Sequence, residues 1–194
     1  MPESEEATLG TGKSLLRRSS SSLTVAMPPV IFLDIDGVLN DHTPMENRHN
    51  GTNPDCVAAF NLVLDAVPDA GIVVSSAWRY MILKNQVTID GFEMLLLTHG
   101  VKCRDRVIGH TRADDAIEDE PHHHDEPKSW REAGLRWRVE QVVAIVRDYG
   151  INRFVVIDDL PLEIPQLHQT DGSKGMTVRD AESIIAMLRS GVQC

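Results

Sequence analysis

Three short apolar runs punctuate the chain: Val30-Ile31-Phe32-Leu33, Ile72-Val73-Val74 and Phe154-Val155-Val156-Ile157. Each is continuous rather than alternating and rich in β-branched residues. That is the pattern of a strand buried on both faces, as in a parallel sheet. Each run stops at polar residues: Asp34-x-Asp36-Gly37, Ser75-Ser76 and Asp158-Asp159. Helical spacing fills much of the rest. Asn53-Pro54 reads as an N-cap followed by proline at the first helical position, and Val57, Phe60, Leu64 and Val67 then recur on one face until Pro68. Residues 138–149 place Val139, Val142, Val143 and Val146 on one stripe, and Gly150 closes that helix. Thr177-x-x-Asp180 resembles a capping box ahead of Ala181, Ile184, Ile185 and Leu188. Strands alternating with amphipathic helices predict βαβ units in a three-layer α/β fold with a central parallel sheet.

The middle of the chain is less regular. Residues 77–97 read as mostly helical, with an interruption over 87–91, and Val107-Ile108 as a short strand. Residues 111–128 are acidic and contain proline and His122-His123-His124, the composition of an exposed loop that binds metal only adventitiously. Residues 1–27 hold acidic residues, Arg17-Arg18 and a serine run, but no strong apolar periodicity. They predict a disordered tail, with the folded domain over 28–194 and Met27 as an alternative start.

Composition narrows the class. The chain has 194 residues and is 42% hydrophobic, enough for a core without disulfides or a structural metal. No run approaches the roughly 20 apolar residues of a membrane span, so no membrane partner is expected. Net charge is 19 − 29 = −10, which disfavours a general grip on nucleic acid. Cys56, Cys103 and Cys194 form no CxxC pair and read as free thiols of a reducing, cytoplasmic setting. No oligomeric state is read from the sequence.

The chemistry follows from the strand ends. In an open parallel sheet, ligands bind beyond the carboxyl ends of the strands. If the three strands are neighbours, four carboxylates and two hydroxyls meet there. Such carboxylates repel and raise each other's pKa unless a cation sits between them. Hard oxygen ligands with no nearby cysteine favour Mg²⁺ over zinc.

The string Val30-Ile31-Phe32-Leu33-Asp34-Ile35-Asp36-Gly37-Val38-Leu39 resembles the first motif of the haloacid dehalogenase (HAD) superfamily. Val73-Val74-Ser75 is similar to its second motif, and Val155-Val156-Ile157-Asp158-Asp159 to its acidic fourth. The longer strings Ser75-Ser76-Ala77-Trp78-Arg79 and Val156-Ile157-Asp158-Asp159 resemble the compact HAD domains of Swiss Army Knife RNA-repair proteins. The resemblance implies a Rossmann-like HAD fold. It implies Asp34 as nucleophile and Asp36 as general acid and base. Ser75 would bond a phosphoryl oxygen, and Gly37 would bring amides to the phosphoryl group. Mg²⁺ would be held by Asp34, the Asp36 carbonyl and Asp158, with Asp159 direct or through water. The third family motif is a Lys or Arg. Arg138 is its candidate, with Lys128, Arg131 and Arg136 as alternatives and Lys128 the runner-up. Ser76 and Arg79 are expected to contact substrate, Arg79 as a second phosphate anchor beside Trp78 or, equally, as part of a pair packing the sheet edge. His42 is a loop histidine of no assigned role.

Residues 38–71 and the 62 residues of 76–137 leave room for no large cap domain. An open site predicts a phosphorylated small molecule, or a nucleic-acid 5′ or 3′ phosphate end, as substrate of a phosphomonoesterase. The alternative is a non-catalytic phosphate-recognition or interaction module on the same scaffold. A mutase is disfavoured by the missing cap.

Overall fold

A computed structural model describes residues 27–41, 51–111 and 128–190. The expected N-terminal tail, His42 and the His122-His124 loop lie outside those residues. Five parallel strands form one sheet in the order β3-β2-β1-β4-β5: β1 Val30–Leu33, β2 Gly71–Val74, β3 Val107–His110, β4 Phe154–Asp158 and β5 Leu167–Gln169. The three apolar runs read from sequence are the central strands, β2-β1-β4, and the short strand read at Val107-Ile108 is β3 at the edge. Their residues are fully or almost fully buried, as continuous apolar runs require. β5 escaped the sequence reading. It is three residues long, half-buried and mixed in polarity, so it carries no strand pattern of its own.

Helices α1 Pro54–Ala66, α3 Ile89–Thr98 and α5 Val178–Ser190 contribute buried residues to the core that takes Ile31, Leu33, Ile72, Val74, Val155 and Ile157 from the sheet. The opposite set of side chains, Val30, Phe32, Val73 and Val156, packs with α4, Lys128–Tyr149. The chain is thus a three-layer α/β structure. Asn53 caps α1 as expected, its side-chain oxygen accepting from Asp55 N at 2.9 Å. Three residues of the predicted α4 stripe, Val139, Val142 and Val146, pack on the α4 side of the sheet together with Ile145, while Val143 is half-exposed. At about 100° per residue, 142, 145 and 149 share a face that 143 leaves. Residues 77–98 form a 3-10 turn at Ala77–Arg79, a short helix α2 at Tyr80–Leu83, and α3. The break falls at 84–88, slightly before the expected one.

Register decides what meets at the top of the sheet. Leu33 pairs with Val74 on one side and Ile157 on the other. The next residues, Asp34, Ser75 and Asp158, are therefore level. Side chains alternate along a strand, so these three share parity with Phe32, Val73 and Val156. All three belong to the α4 face.

Candidate active site

Arg138, on the inner side of α4, closes this cluster. Its Nη1 donates to Asp34 Oδ2 at 3.2 Å and to Asp158 Oδ2 at 3.1 Å. The other oxygen of each carboxylate accepts a backbone amide: Ile35 N on Asp34 Oδ1 at 2.7 Å, and Leu160 N on Asp158 Oδ1 at 2.9 Å. Both acids are buried. Burial raises the Asp34 pKa, opposed by the Arg138 charge and by hydrogen bonds from Ser76 and Ile35. Burial, together with the neighbouring Asp34 charge, pushes Asp158 up to about 7, again against Arg138.

Asp159 joins the pair: one oxygen from each of Asp34, Asp158 and Asp159 lies within 4.8 Å of the others. This donor set fits a hard divalent cation, being all oxygen, anionic and largely withdrawn from water. Ser75 adds a further polar group. Its Oγ is buried with no hydrogen-bond partner, as is Trp137 Nε1. Both residues line one small cavity with Arg138, Asp158, Thr111 and Gln141. A buried hydroxyl without a partner costs about 1–3 kcal/mol, and an oxygen-rich ligand at the cavity would relieve it.

The family model for the HAD domain in Swiss Army Knife RNA repair proteins matches residues 30–181. The chain belongs to that family. No curated protein and no solved structure matches it. The domain has the family's sheet and brings Asp34, Ser75, Arg138, Asp158 and Asp159 to one end of it. Lys128 is the first residue of α4, and its side chain lies outside the described residues.

Three expectations for this HAD domain need correction, and a fourth is decided between its two alternatives. Arg79 takes the packing role of its two expected ones: it is fully buried beside the cavity, its Nη1 donating to the carbonyls of Ser75 at 3.0 Å and Ser76 at 2.9 Å. Its guanidinium lies between the rings of Tyr80 and Trp137, so it braces the end of β2. Ser76 is also fully buried. Its Oγ accepts Trp78 N at 3.3 Å, and its side chain hydrogen-bonds Asp34, so it is committed to the protein. Gly37 makes the expected tight turn at φ +73°, but its amide donates to Asn40 Oδ1 at 2.9 Å instead of facing a ligand. Glycine is required there for a second reason. A Cβ would stand 2.6 Å from the Asp159 carboxyl group, so Gly37 makes room for that acid. Finally, three of the four expected carboxylates meet: that of Asp36 stands outside the cluster, held by Asn40 and Trp78, which does not bear on its expected part as acid and base.

Asn40 and Trp137 were missed. Asn40 follows the apolar pair Val38-Leu39 and is fully buried. An Asn just beyond a glycine turn is a common backbone-bonding residue, which was the available signal. Trp137 next to Arg138 carried no signal, since it reads equally as core.

Proposed function

We propose that this HAD domain is a Mg²⁺-dependent phosphomonoesterase working through an aspartyl-phosphate on Asp34. The observation that carries the reading is the bridging of Asp34 and Asp158 by Arg138 inside a three-carboxylate cluster. Asp34, Asp158 and Asp159 would hold the cation. When bound, Mg²⁺ neutralises the carboxylates and the phosphoryl oxygens so that one anion can approach another.

The chain's own groups supply the rest. Asp34 Oδ2, held by Arg138, attacks phosphorus, and the bond from phosphorus to the ester oxygen breaks. Arg138 offsets charge on the transferring group, and Ser75 Oγ donates to one of its oxygens. Asp36 gives a proton to the departing oxygen. The resulting Asp36 carboxylate then takes a proton from the water that attacks the aspartyl-phosphate, which releases phosphate and restores Asp34.

The family's name and the absence of a cap among the described residues support a substrate whose phosphate stands at the end of a larger molecule, such as a nucleotide or a nucleic-acid terminus. The net charge of −10 favours short ends over a long duplex. The test is phosphate release from a panel of phosphomonoesters, including 5′- and 3′-phosphorylated oligonucleotides, with excess Mg²⁺ and then EDTA. Asp34→Asn should fall to background while keeping its melting temperature. Full activity of that variant, or indifference to EDTA, overturns the mechanism. A wild type that turns over nothing on the panel overturns the enzymatic reading in favour of a phosphate-recognition module.

A further inference from the structure

Asp36 sits in the turn after β1, where a carboxylate has free torsions unless something fixes them. Here both of its oxygens are taken. Asn40 Nδ2 donates to Oδ1 at 2.9 Å, and Trp78 Nε1 donates to Oδ2 at 3.0 Å. The two donors come from different parts of the fold, the loop after β1 and the 3-10 turn after β2.

Each donor is itself fixed. The Asn40 amide has one consistent orientation, because its Oδ1 accepts Gly37 N at 2.9 Å and its Nδ2 also donates to Gly51 O at 3.0 Å. Its backbone is pressed by the 171–176 turn, where a Cβ on Gly175 would lie 2.7 Å from Asn40 O. The Trp78 backbone amide is capped by Ser76. Its ring meets His99 edge-on at 6.4 Å between centroids, and a Cβ on Gly51 would come within 3.3 Å of it. Two rigid donors on two oxygens leave the Asp36 carboxyl plane little freedom.

The geometry points to Trp78 and Asn40 as positioning residues that aim the Asp36 carboxyl group at the leaving-group oxygen. The inference rests on the phosphomonoesterase reading and deepens it. A general acid acts only within hydrogen-bond reach of its target. The clamp therefore sets how well the enzyme handles leaving groups that need a proton. The indole N–H donates and never accepts, so phenylalanine removes the bond while keeping an aromatic ring.

The test compares kcat/KM for an alkyl phosphate, glycerol phosphate, with that for 4-nitrophenyl phosphate, whose leaving oxygen hardly needs a proton. This parameter covers steps only up to departure of the leaving group, so the later water attack does not enter it. Trp78→Phe should lose about tenfold more on the alkyl ester than on the aryl ester, a fraction of the 10²–10⁴-fold that a general acid contributes. In an Asp36→Asn background the same substitution should add no further split, since Trp78 acts through Asp36. If Trp78→Phe fails to fold, Asn40→Asp carries the comparison: it is isosteric, keeps the acceptor for Gly37 N, and replaces the donor to Asp36 by a carboxylate oxygen that repels it, so the aim is lost. Equal losses on both esters, or a split that persists without Asp36, overturn the inference. If the wild type hydrolyses both esters and the variants show no split, only this inference falls. If the wild type hydrolyses neither with Mg²⁺ present, the function reading falls and takes the inference with it.

Discussion

The two sides of the site are built in different ways. On the α4 side, Asp34, Ser75 and Asp158 end three adjacent strands, and Arg138 reaches them from a long helix. On the other side, Asp36, Asn40 and Trp78 are held by turns that bond one another. Regular elements place the charges that must resist their own repulsion. Turns place Asp36, the group proposed to move a proton. The first side is fixed by register and costs the protein electrostatic energy; the second is neutral in packing terms and fixed by individual hydrogen bonds.

The largest effect that would break this contrast lies at Arg138. Arg138→Gln keeps a polar side chain with an N–H donor, on a shorter stem, but removes the charge between two buried carboxylates. Activity should fall about 10²–10³-fold, the scale for losing one preorganised transition-state donor. Arg138→Lys should recover part of that, because it restores a point charge but not the guanidinium geometry. Steady-state rates on an aryl phosphate check this. A Gln variant as active as wild type would mean that the α4 side is an ion pair of the scaffold with no part in turnover.

Arg79 gives the next largest effect, and it separates bracing from substrate binding. A phosphate anchor removed by mutation would raise KM and leave stability alone. Arg79 instead ties two carbonyls at the end of β2 from a fully buried position. Arg79→Met should therefore cost about 2–4 kcal/mol of stability, from lost charge-assisted hydrogen bonds and two carbonyls left under-satisfied. That is a fall of roughly 5–15 °C in Tm for a chain of this size. Thermal melts with and without Mg²⁺ would check it. An unchanged Tm with a raised KM would return Arg79 to the substrate.

These two arginines also show what the sequence could reveal. Continuous apolar runs ending in acids announced the central strands, and side-chain alternation then put Asp34, Ser75 and Asp158 on one face once the strands were neighbours. The helix bearing Arg138 was readable from its periodicity, and the motif resemblance selected Arg138 within it. No local pattern distinguishes a buried arginine from an exposed one, because one of the groups against Arg79 is the ring of Trp137, far along the chain. The same holds for Trp78, whose bond to Asp36 joins residues 42 apart in sequence. Period and motif are local signals, whereas turns packed on turns are tertiary facts.

The smallest expected effect tests whether the α4 side is built for a cation instead of for stability. Burial and the Asp34 charge raise Asp158 from 3.8 to about 7, and Asp34 is raised as well. In the metal-free protein the native state thus holds more protons than the unfolded chain between about pH 4 and 7. Stability contributed by these protonated groups is complete below the unfolded pKa and is lost as pH rises through that window. Asp171 and Asp180 are shifted downward and act in the opposite sense only as pH falls below about 4, whereas His99 and His110, both lowered by burial, oppose the carboxylates within the window itself. Asp158→Asn keeps both histidines, so from pH 5 to 8 in EDTA the Tm of the wild type should fall more, or rise less, than that of Asp158→Asn. Cation binding needs the deprotonated carboxylates, so the Tm gain on adding Mg²⁺ should grow over the same interval. A wild-type slope in EDTA no more negative than that of Asp158→Asn would show that the paired carboxylates carry no such strain. The need for a cation would then rest on the transferring phosphate alone, leaving the two sides of the site alike in being at rest without ligand.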